Sequence, residues 1–265
     1  MRNGNFTQTG TATDAAPSSG IGTYLWNMVS GPGVITFGTP SALSTTISAS
    51  ADGTYVIRLT VTDNAGNSSS STFNLTWDTV APVVNVGVDV TTNALFSKTA
   101  TESDPAPSSG LAIRTWSKIS GPGNIIFSAS TALTTNISAD ADGTYVIGLT
   151  VVDNAGNSTT QTFNLVWDTI VPTVSAGSNK TTNAIFTQMA TATDQSPSSG
   201  IATTSWSLFS GPGAITFGSV NSLETSVSAS VDGTYVLRLT VVDNAGNSAF
   251  SDFTLVWDSV SPVVS

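Results

Sequence analysis

The sequence of 265 residues contains no cysteine and no histidine. The first absence excludes disulfide staples and thiolate chemistry, and the second excludes histidine-based zinc sites and acid–base catalysis by histidine. Only 7 residues are basic, against 17 acidic residues, so the formal net charge is −10. Because such a surface repels phosphate backbones and anionic lipids, we expect no nucleic-acid binding, and divalent cations become candidate partners.

Long apolar runs are also missing. No run approaches the roughly 18 residues that a membrane-spanning helix needs, so we expect no membrane insertion. Charged residues make up 9% of the chain, and Ser, Thr, Asn and Gly supply the polar surface instead. This composition is typical of β-sheet faces that are exposed to water.

What the chain does contain is a repeat. Its period is 90 residues, the spacing between Gly31 and Gly121, and a fixed period of this kind indicates an array of similar units. Three motifs recur in every copy: Gly-Pro-Gly from Gly31, Gly121 and Gly211, Asp-Gly-Thr-Tyr from Asp52, Asp142 and Asp232, and Asp-Asn-Ala-Gly-Asn from Asp63, Asp153 and Asp243. We divide the chain into repeat 1 (1–80), repeat 2 (81–170), repeat 3 (171–261) and the start of a further repeat (262–265).

Within each repeat the apolar residues alternate with polar ones. Tyr145, Ile147, Leu149 and Val151 occupy every second position of one run, and turn residues flank that run. Such alternation predicts half-buried antiparallel strands, and short strands at this spacing favour a two-sheet sandwich. We predict seven strands per repeat, which in repeat 2 lie near residues 82–88, 94–103, 112–119, 124–128, 133–140, 144–152 and 159–167.

Two positions in each repeat predict the core of such a sandwich. Trp116 falls on the third strand, where its indole would anchor the core, and Tyr145 follows an Asp-Gly turn as in a tyrosine corner. The Gly-Pro-Gly segment at 121–123 lacks the Lys and the helix of a phosphate loop, so we interpret it as a turn between strands three and four. All six Trp fall at strand positions predicted to be core rather than at exposed sugar-binding platforms.

These motifs together resemble known families. The residues that resemble PKD-type immunoglobulin-like domains are Trp116, Ser120–Gly123, Phe127, Asp142–Val146 and Leu149–Val151. Asp153–Asn157 and the linker Asp168–Pro172 resemble the bacterial Ig-like repeats of large, adhesin-like surface proteins. The resemblance covers all three copies and implies an all-β chain of three tandem, seven-stranded Ig-like sandwiches in a linear array. It also implies an extracellular or cell-surface location, where such modules serve as spacers, adhesins and appendages of secreted enzymes.

Acidic residues are the candidates for a binding site. In an Ig-like sandwich the loops after the second and sixth strands lie at the end where the preceding linker arrives, which brings Asp104, Asp153 and linker Asp78 together. The second junction would combine Asp168, Asp194 and Asp243 in the same way. Calcium takes six to eight oxygen ligands, so these carboxylates predict an interdomain calcium site that Asn154, Asn244 and nearby carbonyls could complete. The alternative is that each Asp only forms an Asx turn.

The positions of the repeats relative to the first and last residues leave two interpretations open. Repeat 1 begins after the position of its first strand, and Pro262-Val263-Val264-Ser265 begins a fourth copy. Either the sequence is a piece of a longer array, or its last residues donate a strand to the gap in the next molecule's first repeat.

The function that these features favour is structural. We expect an extender that spaces a distal binding domain from the cell, with junctions rigidified by calcium and with neighbouring repeats as its partners. The alternatives are a filament subunit that assembles head to tail through terminal strands, and a module that binds a surface glycan or protein through avidity. Because no nucleophile–base pair or cleft of paired acids can be assembled from the sequence, we do not expect an enzyme.

Overall fold

The structure, a computed structural model, describes residues 1–264, and every regular element in them is a β-strand. Repeat 1 contains β1 (Phe6–Thr9), β2 (Ile21–Ser30), β3 (Ile35–Phe37), β4 (Ser44–Ala49), β5 (Gly53–Asp63) and β6 (Ser68–Trp77). Repeat 2 contains β7 (Val83–Asn85), β8 (Val90–Thr92), β9 (Phe96–Thr99), β10 (Thr101–Ser103), β11 (Leu111–Ser120), β12 (Ile125–Phe127), β13 (Thr134–Ala139), β14 (Gly143–Asp153) and β15 (Ser158–Trp167). Repeat 3 contains β16 (Thr173–Ser175), β17 (Lys180–Thr182), β18 (Phe186–Met189), β19 (Thr191–Thr193), β20 (Ile201–Ser210), β21 (Ile215–Phe217), β22 (Glu224–Ala229), β23 (Gly233–Asp243) and β24 (Ser248–Trp257).

Each repeat is a sandwich of two layers. In repeat 2 one layer has the strand order β11-β14-β15-β8, in which β8 runs parallel to β15 and the other neighbours are antiparallel. The other layer consists of β12-β13-β9 and the pair β10-β7. Repeat 3 has the same order in both layers, whereas repeat 1 has only β2-β5-β6 and β1-β4-β3 among residues 1–264. The predicted all-β sandwich fold is therefore confirmed.

The first strand of a full repeat differs from the prediction because it is divided between the two layers. Within the expected strand over 82–88, only β7 forms a strand, and it pairs with β10. The chain then crosses to the other layer, where β8 lies beside β15. The crossing occurs at Gly87, whose φ of 73° is the left-handed conformation that glycine adopts at little cost. The Asn85 Oδ1 accepts a hydrogen bond of 2.8 Å from the Gly87 amide, so an Asx turn fixes the bend.

The second strand is also divided. The prediction of one strand over 94–103 is wrong at Ala100, because the chain changes partners there. Strand β9 pairs with β13, and β10 pairs with β7. The Ala100 amide donates instead to the Leu133 carbonyl at 3.0 Å, so its hydrogen bond is kept although it belongs to neither ladder.

The core of each repeat lies between its layers and is built around one tryptophan and one tyrosine. The side chain of Trp116 is 2% exposed, its indole nitrogen donates to the Ala132 carbonyl at 2.9 Å, and its ring meets Phe163 edge to face at 6.3 Å. Tyr145 is fully buried, and its hydroxyl donates to the Ala141 carbonyl at 2.6 Å. The tyrosine corner is therefore present, and both core predictions are confirmed.

The Gly-Pro-Gly segment is a turn that packs on this tyrosine. It lies between β11 and β12, and Gly121 has a φ of 130°, a backbone conformation that residues other than glycine rarely adopt. A Cβ atom at Gly121 would overlap the Tyr145 ring, so glycine is required there for both conformation and space. The prediction of a turn rather than a phosphate loop agrees with this packing.

Candidate metal site at the repeat junctions

The linker aspartate belongs to repeat 1 by its backbone and to repeat 2 by its side chain. The Asp78 amide donates to the Arg2 carbonyl at 2.9 Å, which ties the residue to the N-terminal segment of repeat 1. Its side chain is fully buried, and its Oδ2 accepts a hydrogen bond of 2.7 Å from the Ser109 amide of repeat 2. Its Oδ1 accepts from the Val80 amide at 3.1 Å. One carboxylate thus joins the two domains.

Asp153 ends β14 and organises the loop that follows. Its Oδ1 accepts hydrogen bonds from the Ala155 and Gly156 amides at 2.8 and 2.7 Å. Its Oδ2 accepts from the Asn157 side-chain amide at 2.7 Å, and that amide also donates to the Asp78 carbonyl at 2.9 Å. The residue is only 2% exposed, so this carboxylate lies at the junction with its charge shielded from water.

Asp104, which follows β10, is satisfied on one oxygen only. Its Oδ2 accepts hydrogen bonds of 2.7 Å from both the Ser108 hydroxyl and the Gly110 amide. Its Oδ1 is buried and has no hydrogen-bond partner among the described residues. A buried carboxylate oxygen without a partner is costly, because burial removes the water that would otherwise solvate it. The Oδ1 of Asp104 is therefore a candidate ligand for a bound cation.

These three carboxylates meet at one point. Asp78, Asp104 and Asp153 each place an oxygen within 4.8 Å of the others. Oxygens that bind one calcium ion at 2.3–2.6 Å lie at most about 5 Å apart, so the cluster fits a single coordination sphere.

The second junction repeats the arrangement. Asp168, Asp194 and Asp243 have the same separation limit of 4.8 Å. Asp168 is fully buried and accepts from the Ser199 amide at 2.8 Å. The Oδ1 of Asp194 is again buried without a hydrogen-bond partner in the described part of the chain. The structure thus brings together, in both junctions, all six residues that the sequence had marked as candidates.

The charges and atom types of the cluster favour the binding of a hard cation. At an effective dielectric constant near 20, two full charges 4.8 Å apart repel by about 3 kcal/mol. Three carboxylates in a mostly buried junction therefore repel one another unless a cation neutralises them. The donor set consists of hard oxygens without histidine or cysteine, which suits calcium better than zinc or copper.

The two asparagines that were expected to complete the calcium shell have another role. The Asn154 side-chain nitrogen donates to the Ser109 and Gly110 carbonyls at 3.0 and 2.8 Å. Asn244 makes the equivalent bonds to Ser199 and Gly200 at 2.8 and 3.0 Å. These amides close the loop that carries Asp104 or Asp194, so they help to position the candidate ligands.

Two polar contacts at the junctions were not anticipated from the sequence. The Asn3 amide nitrogen donates to Asn157 Oδ1 at 3.0 Å, and Asn93 donates to Asn247 Oδ1 at 2.8 Å, so each contact crosses from one repeat to the next. The sequence feature that could have predicted these contacts is the recurrence of Asn at the same position of each copy.

Asp142 was expected only to form an Asp-Gly turn, but it also anchors the outgoing linker. Its Oδ1 accepts from the Thr169 amide at 2.8 Å, and its Oδ2 accepts from the Thr169 hydroxyl at 3.1 Å. Asp52 holds Thr79 in the same way. The recurring Thr or Ser directly after the linker Asp was the available signal. Each linker is therefore fixed to the domain that it leaves as well as to the domain that it enters.

An exposed aromatic patch distinguishes repeat 3 from the other two repeats. The Arg238 guanidinium lies 4.1 Å from the Phe209 ring centre and 3.8 Å from that of Phe250, and both phenylalanine residues are 59% exposed. Arg238 also pairs with Asp252 at 2.8 Å, and this bond lowers the pKa of the Asp252 carboxyl. The equivalent positions elsewhere hold Val29 and Ser70, or Ile119 and Thr160, so the patch is not repeated.

Sequence comparison places the chain in a family. The domain family described as "K319L-like, PKD domain" matches residues 5–76, 87–166 and 176–256. The chain therefore belongs to this family and carries three copies of its domain in tandem, which confirms the PKD-type resemblance.

One human protein is similar over most of the chain. It is named dyslexia-associated protein KIAA0319 and is 27% identical over 249 residues, which cover 89% of this chain. The chain spans only 23% of that protein's length.

The similarity of the chain to solved structures is low. The fibronectin(III)-like modules of Clostridium thermocellum CbhA are 15% identical with a TM-score of 0.37, covering 66% of this chain and 94% of theirs. A tetra-tandem repeat from the extending region of a large adhesion protein is 18% identical with a TM-score of 0.32, covering 97% and 70%. Because both TM-scores are low, these structures carry no weight for function.

In residues 1–264 no helix is long and apolar enough to span a membrane.

Proposed function

We propose that this chain is an extender segment of an extracellular adhesion protein or fibre, and that calcium rigidifies its junctions. The segment holds a distal binding domain away from the surface to which the protein is attached. Its work is mechanical rather than enzymatic. The tandem arrangement of three domains of one family supports this role, because copied modules add length and stiffness without adding a new active site.

The observation that carries the proposal is the buried, unpartnered oxygen of Asp104 and its equivalent in Asp194. Every other carboxylate oxygen of the two junction clusters accepts at least one hydrogen bond. Asp104 carries this oxygen, and one carboxylate oxygen of Asp104 lies within 4.8 Å of oxygens from Asp78 and Asp153, a spacing that suits cation ligands. The oxygen is present at both junctions, so each junction would take one ion.

Calcium would stiffen the array by fixing the linker to the domain that follows it. Asp52 and the Arg2 carbonyl hold the first linker to repeat 1. The carboxylates of Asp104 and Asp153 belong to repeat 2 and would share the ion with Asp78 of the linker. Without the ion the three like charges repel one another, and we expect the junction to flex.

Small-angle X-ray scattering tests this function directly. Domains with strands of ten or eleven residues are about 35 Å long, so three in line span on the order of 100 Å. We expect the chelated chain to show a broad distribution of shapes and the calcium-loaded chain to approach this length. Magnesium at the same concentration is the control, because it demands octahedral geometry and dehydrates reluctantly. A scattering curve that calcium leaves unchanged would contradict the proposal.

A second candidate function is binding of a glycan or protein through the aromatic patch of repeat 3. Phe209 and Phe250 are exposed on either side of Arg238, and such a patch can stack on an apolar ligand face. Binding through avidity, however, expects a patch on every copy, and repeats 1 and 2 lack these aromatic residues. A glycan array tests this candidate with the unchanged chain and its Phe209→Ala, Phe250→Ala double variant. The candidate function requires that the unchanged chain binds a glycan and that the double variant does not.

A further inference from the structure

One asparagine of the sequence is followed directly by glycine, at Asn3-Gly4. The equivalent asparagines of repeats 2 and 3, Asn93 and Asn183, are each followed by alanine. All three asparagines lie in a bend, directly after a residue that pairs with the last strand of its repeat. The three copies thus share one local structure and differ in the residue that follows the asparagine.

The backbone nitrogen after the asparagine is held in two of the copies and free in the third. The Ala94 amide donates to the Thr92 hydroxyl at 3.2 Å, and the same bond in repeat 3 measures 3.1 Å. Repeat 1 has Arg2 at the threonine position, so this hydroxyl is missing. The Gly4 amide has no hydrogen-bond partner within residues 1–264.

Gly4 also leaves this nitrogen unhindered. A Cβ atom added at Gly4 would meet no other heavy atom within 4 Å, so the space beside it is open. Glycine adopts backbone conformations that alanine avoids, and the Asn3 side chain is exposed to water. A free nitrogen that can approach the Asn3 Cγ atom meets the main requirement of an intramolecular reaction, which is close and oriented contact.

We propose that Asn3 is a site of spontaneous deamidation, and that loss of its amide loosens the contact between repeats 1 and 2. The Gly4 nitrogen attacks the Asn3 Cγ atom, and a bond between them forms as the bond from Cγ to Nδ2 breaks. The side-chain nitrogen leaves as ammonia and takes up the proton that the Gly4 amide gives up. Water then opens the cyclic imide at one of its two carbonyls, which leaves aspartate or isoaspartate. The net reaction consumes one water and releases one ammonia.

The amide that would be lost joins the two repeats. The Asn3 side-chain nitrogen donates to Asn157 Oδ1 at 3.0 Å. A carboxylate at this position has no hydrogen to donate, so two oxygens would face each other. Asn157 cannot compensate by turning its amide over, because its nitrogen donates to the Asp78 carbonyl at 2.9 Å and to Asp153 Oδ2 at 2.7 Å. Deamidation therefore removes a bond across the first junction and leaves the second junction unchanged.

The reaction at Asn3 is independent of metal, since it needs only the Gly4 nitrogen and water. Its effect on the stiffness of the array rests on the proposed function, because only a junction that is otherwise rigid can be loosened. The first junction would then lose stiffness as the protein ages, while the second junction would keep it.

Peptide mass spectrometry of the chain, stored at mildly alkaline pH in chelator, tests the proposal. Digestion in heavy-oxygen water marks every amide that is lost during handling, and Asn93 and Asn183 are references within the same sample. We expect Asn3 to lose its amide about tenfold faster or more than either reference. An isoaspartyl methyltransferase should detect isoaspartate at the same position. Equal rates at the three asparagines would overturn the proposal.

Two reciprocal variants test the cause of the fast reaction. Arg2→Thr with Gly4→Ala gives repeat 1 the residues of repeat 2, and we expect it to slow amide loss at Asn3 to the rate of the references. Thr92→Arg with Ala94→Gly makes the reverse exchange and should give the asparagine of repeat 2 the fast reaction. Both residue pairs already occur in this bend, so each variant is expected to fold. Fast amide loss at Asn3 in the first variant contradicts the proposal.

Asn3→Asp reproduces one product and tests its effect on the junction. In small-angle scattering with calcium, we expect this variant to show a broader distribution of shapes than the unchanged chain. Asn183→Asp is the matched control, because Asn183 makes no hydrogen bond to another repeat within residues 1–264, unlike its equivalents. If calcium elongates Asn3→Asp as fully as the unchanged chain, the proposal is overturned. If calcium leaves the unchanged chain as it is, the proposed function fails, and fast amide loss confined to Asn3 still supports deamidation there.

Discussion

Asp104→Asn together with Asp194→Asn is expected to shift the calcium-induced elongation of the chain to calcium concentrations about tenfold higher or more. The substitution keeps the shape of the side chain and an oxygen for the Gly110 amide, but it removes the charge of the one oxygen that has no other partner. Because calcium affinity depends on the number of charged ligands, we expect binding at each junction to weaken by about tenfold or more. Small-angle scattering across a calcium titration measures the effect as a shift of the transition to higher calcium.

Asp14→Asn is the matched control for this variant. Asp14 holds its own loop through the same hydrogen bonds, to the Ser18 hydroxyl at 2.9 Å and the Gly20 amide at 2.8 Å. In residues 1–264 no linker aspartate approaches it, so the substitution should leave the calcium response unchanged. If the double variant elongates at the same calcium concentration as the unchanged chain, the carboxylates serve only as turn formers.

Trp116→Ala is expected to destabilise repeat 2 by about 3–5 kcal/mol, the usual cost of emptying a large aromatic site in a core. The loss has two parts. The indole is 2% exposed and packs on Phe163, and its nitrogen satisfies the Ala132 carbonyl. Differential scanning calorimetry should therefore show that one domain's share of the unfolding heat moves to lower temperature.

Ile113→Ala provides the comparison on the same strand. Ile113 is 62% exposed on β11, so its truncation removes little buried surface, and we expect less than about 0.5 kcal/mol of change. Equal effects of the two substitutions would mean that the core of repeat 2 is not organised around the tryptophan.

The sequence predicts most of the fold because its signals are local. Alternation from Tyr145 to Val151 marks a strand with one buried face, and the Asp-Gly and Gly-Pro-Gly turns bound such strands. The two errors lie where a strand changes partners. At Gly87 and Ala100 the chain moves from one ladder to another, and that choice depends on neighbours distant in sequence, which alternation does not record.

The site is predictable in part, for a topological reason. Loops after the second and sixth strands share one end of an Ig-like sandwich, so Asp104 and Asp153 can be placed together once the fold is known. Which oxygen lacks a partner is not predictable, because Asp104 Oδ1 differs from Asp78 and Asp153 only through backbone amides positioned by the folded loops. The roles of Asn154 and Asp142 depend on such contacts as well.

Isothermal titration of calcium into the 265-residue chain, at a concentration where it is monomeric, tests the central claim most directly. We predict two ions per chain, one for each described cluster, and one ion for the Asp104→Asn variant. Two ions bound equally well by the Asp104→Asn, Asp194→Asn double variant, or no calcium bound by the unchanged chain, would contradict the account of calcium-locked junctions.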